Sequence, residues 1–134
     1  MDIDDYSPSP TARRFESGTP PIPSIYAGVA GIELMQEIGI EETRLHVLGL
    51  HERLYGGVEE LGGTIVTPSD PEKRGALVCV RSNDVAELVR RLAADRIVTS
   101  SRDGNLRISP HCYNTVEDVD AVLAALAKSR ELLG

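Results

Sequence analysis

Apolar positions along the chain fall into blocks of two periods, one near 3.6 residues and one of 2, and the blocks alternate with clusters of glycine, proline and small polar residues. From Ser24 the spacing is helical, with Ile25, Val29, Ile32 and Met35 forming one stripe and Gly39 standing as a stop after Ile38. A second helix is predicted over residues 41–61. Val47, Leu50, Leu54, Val58 and Leu61 share its apolar face, Glu41 and Glu42 lie near its positive end, Gly56-Gly57 weakens its last turns and Gly62-Gly63 ends it.

The period then shortens. Residues 64–67 and 76–81 are short β-branched or apolar runs joined by the turn-rich PSDPEKRG, which predicts two strands and an exposed loop. The second run is almost wholly apolar, so it is expected at the centre of its sheet. Asn83 is placed to cap a helix with Val85, Leu88, Val89 and Leu92 on one stripe. Two further strands are predicted over 97–101 and 106–109, turned by Asp103-Gly104. A last helix starts at Asn114 or Thr115, where Thr115-x-x-Asp118 forms a capping box, and Val119, Val122, Leu123, Leu126 and Leu133 line its buried face.

These elements predict an α+β fold: a small antiparallel sheet of three to four strands with helices packed on one face. Residues 1–23 differ from the rest. They hold five of the eight prolines (Pro8, Pro10, Pro20, Pro21, Pro23), and so read as an extended N-terminal arm that must lie on something. No internal repeat is present.

Composition narrows the class. A chain of 134 residues at 41% hydrophobic suits one ordinary domain. Acidic residues outnumber basic ones 21 to 14, which removes the main electrostatic contribution to nucleic-acid binding. The start, MDIDDYSPSP, lacks the basic and apolar regions of a signal peptide, and no segment approaches the ~20 apolar residues of a membrane span. Cys79 and Cys112 show neither zinc-ligand nor disulfide spacing, and a reducing, cytoplasmic setting is expected.

Few positions carry candidate chemistry. Alternation along 106–109 sends Leu106 and Ile108 toward the helices and turns Arg107 to the other face beside Ser109, where a guanidinium suits bidentate capture of a carboxylate. Arg107 also fits an ordinary arginine on a half-exposed sheet. Thr19, between Gly18 and Pro20, sits on a tight loop able to meet a phosphate or carboxylate oxygen, or to be a plain turn. His111, Cys112 and Tyr113 stand at the entrance to the last helix, where packing and loop hydrogen bonds are the expected roles; His46 and His51 read as helix-surface residues. Lys73 and Lys128 are the only lysines, and neither has the buried setting of a Schiff-base lysine.

Taken together, ARRFESGTPP (12–21) and LRISPHCYNTVEDVDAVLAAL (106–126) resemble the C-terminal part of class V aminotransferases, the fold type I pyridoxal-phosphate family that includes kynureninases, cysteine desulfurases and selenocysteine lyases. The resemblance implies that residues 24–134 are the small C-terminal domain of such an enzyme, with the large cofactor-binding domain absent. It implies that Arg107 binds the substrate's α-carboxylate and that Thr19 reaches the cofactor phosphate of the neighbouring subunit in a homodimer. It also implies that this chain alone is inactive and holds no cofactor, since the aldimine lysine and the aspartate that pairs with the pyridine nitrogen have no counterpart. The interval IVTSSRDGNLR has no cysteine, which disfavours a desulfurase-type persulfide and favours an aminotransferase- or kynureninase-like parent. A different class stays open: a free-standing, non-catalytic module for dimerisation or small-acid binding.

Overall fold

The computed structural model describes residues 7–134, which divide into two compact units, one ending at Gly39 and the other running from Ile40 to Gly134. The opening residues, expected as part of the arm, lie outside the described range up to residue 6.

In the first unit a short 3₁₀ turn, Ala12–Phe15, is capped by the Thr11 side chain. Helix α1 follows at Ile22–Ile38. The arm is therefore shorter than the expected 1–23 and is not extended throughout. Proline is tolerated in a first helical turn, whose N–H groups have no intrahelical partner anyway, so Pro23 starts α1 rather than forbidding it. Gly39 ends the helix at φ 95°, and its N–H bonds the Met35 carbonyl. No residue of α1 is buried: Ile25, Tyr26, Val29 and Ile32 are all exposed.

The second unit contains α2 (Ile40–Glu60), β1 (Val78–Val80), α3 (Val85–Ala94), β2 (Ser100–Arg102), β3 (Asn105–Ile108) and α4 (Val116–Ala127). Its sheet is antiparallel in the order β1-β3-β2. The core joins the inward faces of all these elements except β2: Leu50, Leu54 and Val58 of α2, Val78 and Val80 of β1, Leu88 and Leu92 of α3, Leu106 and Ile108 of β3, and Val122 and Leu126 of α4. The α+β class, the small antiparallel sheet and the apolar faces of α2, α3 and α4 are as the sequence predicts.

Several details differ. The predicted strand at 64–67 reduces to one bridge, Ile65 to Val80, because Val66 is exposed and Pro68 removes a donor just beyond it. The centre of the sheet is β3, not the apolar run at 76–81. That run is nonetheless covered on both sides, since Val66 N–H bonds Cys79 O and Arg81 N–H bonds Thr64 O opposite its pairing with β3. Asp84, not Asn83, caps α3 by accepting from Glu87 N–H, and the Asn83 amide donates to Leu133 O. Leu133 is buried, but past the end of α4, after a 3₁₀ turn at Arg130–Leu132.

The capping box is formed as expected, with Thr115 accepting from Asp118 N–H and the Asp118 carboxylate accepting from Thr115 N–H. Gly57 sits where α2 meets α4. A Cβ there would fall 2.6 Å from Leu123 Cδ2, so the glycine permits the close approach of the two helices. Arg53 of α2 and Asp120 of α4 close the same contact at the surface with a two-point ion pair. Among the described residues no helix is long and apolar enough to cross a membrane.

Candidate functional site

The sheet has two unlike faces. Val78, Val80, Leu106 and Ile108 point into the core, so the alternate positions of the paired strands share the opposite face. There Cys79 lies directly across from Arg107 on one side and Ser100 on the other. Arg107 is half-buried at the middle of the central strand, as the alternation predicts for its face. Ser109, expected beside it, lies past the end of β3 and lines a cavity on the helix-bearing side.

The electrostatic state of Arg107 sets it apart. The arginines of the described residues generally have partners: Arg44 with Glu72, Arg53 with Asp120, Arg74 with Glu52, Arg90 and Arg91 with Glu87. Among the described residues, Arg81, Arg96 and Arg107 find no ion pair, side-chain hydrogen bond or ring contact, and of these Arg107 alone is not exposed. Its Nε is shielded from water and unpartnered. A half-buried cation that loses hydration without gaining a counter-charge is unfavourable by itself, so the position has an unmet capacity for an anion.

The other candidates lie elsewhere. Thr19 belongs to the first unit, is exposed and makes no hydrogen bond among the described residues. His111 Nδ1 is 3.1 Å from Cys112 Sγ, its ring stacks on Tyr113, and its backbone N–H donates to Asn114 Oδ1 at 2.9 Å. His46 bonds the Asn114 carbonyl at 2.8 Å, which ties α2 to the same loop. These residues shape the entrance to α4. Among the described residues no cluster of metal-ligating groups exists. A cavity of about 700 Å³, lined by Ile97, Thr99, Ile108, Tyr113 and Val119 among others, opens on the helix-bearing side and does not include Arg107.

Two residues of α2 and its neighbouring loop were not legible as a unit. His51, expected on the helix surface, is fully buried; it stands four residues from Val47 and three from Leu54 on the core stripe, a spacing that signals burial. Arg74, in the loop expected to be exposed, has a buried side chain held by Glu52 and laid over the Tyr55 ring at 4.5 Å. Burial pushes the His51 imidazole below its usual range, opposed by the Ala76 carbonyl and reinforced by the Arg74 charge.

Comparison with known proteins settles the family, because the sequence model of class V aminotransferases matches residues 1–122. The chain belongs to the class V aminotransferases. An uncharacterised aminotransferase of Bacillus subtilis is 28% identical over 87% of this chain and 31% of its own length. A kynureninase of Geobacillus thermodenitrificans is 27% identical over 92% of this chain and 30% of its own. The apo structure of a cysteine desulfurase from Thermococcus onnurineus superimposes with a TM-score of 0.81 over 98% of this chain and 36% of that one; at 23% identity this speaks for the fold alone. The class V chain thus spans about a third of the length of the relatives it matches.

Pyridoxal phosphate is the cofactor of this family, and such enzymes hold it through a lysine Schiff base. The residues present do not fit that role. Lys73 and Lys128 are 73% and 70% exposed and are ion-paired to Asp70 and Asp95, so neither is a desolvated amine awaiting an aldehyde.

Proposed function

We propose that this chain is the C-terminal small-domain portion of a pyridoxal-phosphate-dependent class V enzyme acting on an amino acid, in which Arg107 takes the substrate's α-carboxylate. The observation that carries this reading is the half-buried guanidinium of Arg107, unpaired among the described residues, on the sheet face opposite the core. A planar carboxylate is the anion its fork of donors fits best. Thr19, on its glycine-proline loop, is assigned to the cofactor phosphate of the neighbouring subunit in a homodimer. An exposed hydroxyl with no internal partner is compatible with that contact.

The composition of α1 supports a larger assembly. Glu33 and Glu37 are its only charged residues, and apart from these and Gln36 apolar or small residues surround the axis. A helix that is apolar all round is a buried helix in a stable protein, yet Ile22, Tyr26, Val29, Ile32 and Leu34 are exposed here. The two-thirds of the relatives' length beyond this match is the cover such a helix suits. The same helix would also serve the second reading, a free-standing module that dimerises through it; the mass of the native product separates the two.

Within the first reading, an aminotransferase- or kynureninase-like reaction is favoured over desulfuration. Cys79 is buried, and Cys112 follows Arg107 and is engaged with His111. In the full-length enzyme, Arg107→Ala is expected to lower kcat/KM for the amino acid about 100-fold or more, as loss of a charge-assisted two-point contact requires, with Arg107→Lys intermediate. Unchanged kinetics in Arg107→Ala would remove this residue from the site.

A further inference from the structure

The face that carries Arg107 offers a second group. Ser100 lies directly opposite Arg107 across the β2–β3 pair, on the same face. Directly opposed residues in an antiparallel pair hold their Cβ atoms about 5 Å apart, so a side chain bound at one is within reach of the other. The remaining neighbours are accounted for differently. Cys79, opposite on β1, is buried and offers a weak donor, and the Asn105 amide donates to the Arg102 and Asp103 carbonyls of the β2–β3 turn. Ser109 has left the strand. Ser100 is half-buried, and its hydroxyl makes no hydrogen bond among the described residues.

A guanidinium can donate to both oxygens of a carboxylate but leaves each with further acceptor capacity, which a neutral hydroxyl beside it meets without repelling the arginine. A second cation there would raise the cost of the empty site. We infer that Ser100 is a second ligand for the substrate carboxylate, donating its Oγ–H to an oxygen held by Arg107. The inference rests on the proposed role of Arg107. It assigns specificity as well: β2 is the sheet's outer strand, so a bulky side chain at position 100 would close the carboxylate site from that edge.

The test is a titration of the 134-residue chain with sodium acetate, against sodium chloride at equal ionic strength, followed by ¹H–¹⁵N NMR. The reporters are the Arg107 Nε–H, whose shielding from water slows its exchange, and the Cys79 amide. Acetate should shift both saturably and chloride should not. Ser100→Ala should weaken acetate binding about tenfold, equal to 1.4 kcal/mol, and Ser100→Thr, which keeps the hydroxyl, should stay within about twofold of the parent. Equal affinity of the parent and Ser100→Ala, with the Cys79 response lost in Arg107→Gln, would overturn the role of Ser100 and leave Arg107 as the sole ligand. No saturable response in the parent would overturn the Arg107 reading and Ser100 with it.

Discussion

Gly56 and Gly57 are consecutive in α2 and should respond to the same substitution with opposite signs. Alanine replaces glycine in a helix interior with a gain of about 1 kcal/mol, because the unfolded chain loses freedom and the helix loses none. At Gly56 nothing lies within 4 Å of an added Cβ, so Gly56→Ala should realise that gain. At Gly57 the new carbon would stand 2.6 Å from Leu123 Cδ2 and 3.0 Å from Leu123 Cγ, which forces Leu123 or the whole of α4 to move. Overpacking of this kind costs about 1–3 kcal/mol, which cancels the helix gain or exceeds it by up to about 2 kcal/mol. The two variants should differ by about 1–3 kcal/mol. For a unit the size of residues 40–134 each kcal/mol moves the midpoint by roughly 4–8 °C. Thermal unfolding followed by far-UV circular dichroism reads this directly, with Gly56→Ala melting above the parent and Gly57→Ala at or below it. Leu123→Ala should couple to Gly57→Ala by about 1 kcal/mol or more and not to Gly56→Ala. Equal stabilisation by both alanines would show that α2 and α4 are not in the contact described.

Three further outcomes follow from named residues. Since burial depresses the His51 pKa below its unfolded value near 6.5, the folded state binds fewer protons; the associated stability is complete above about pH 6.5 and is lost as pH falls toward the folded pKa. Urea midpoints measured across that window should decline in the parent and flatten in His51→Gln; a slope unchanged by the substitution would remove His51 as the cause. Thr115→Ala should cost about 1 kcal/mol through loss of the capping box, read from chemical denaturation, and Thr115→Ser should restore most of it. The Glu87 carboxyl, hydrogen-bonded by Arg90 and Arg91, should titrate at about 2 by carbon NMR and return toward the ordinary range when both arginines become alanine.

The helices were legible because their apolar stripes are regular and their ends are marked, by Gly39 for α1 and by Thr115 with Asp118 for α4. Strand limits were less so, because β-branched runs signal extended backbone but not pairing: residues 64–67 have the composition of a strand and form a single bridge. The α3 cap was assigned to Asn83 by residue type, but Asp84 takes it since Asn83 is drawn to the Leu133 carbonyl, 50 residues away in sequence. The burial of Arg74 depends on Glu52 and Tyr55, which meet it only in the fold. The same holds for the candidate site. Alternation gave the face of Arg107, but its lack of a counter-charge among the described residues is a property of the space around it, and Ser100 became visible only through the β2–β3 register.

Whether this chain is one part of a larger class V enzyme is decided by the mass of the native product. Peptides covering RRFESGTPP, residues 13–21, should be followed by mass spectrometry of the intact protein from its source cells. The expected product is roughly three times the length of this chain, as in its relatives, with an upstream lysine-bearing domain. A native product of 14.5 kDa would contradict it and make the free-standing module the function to pursue.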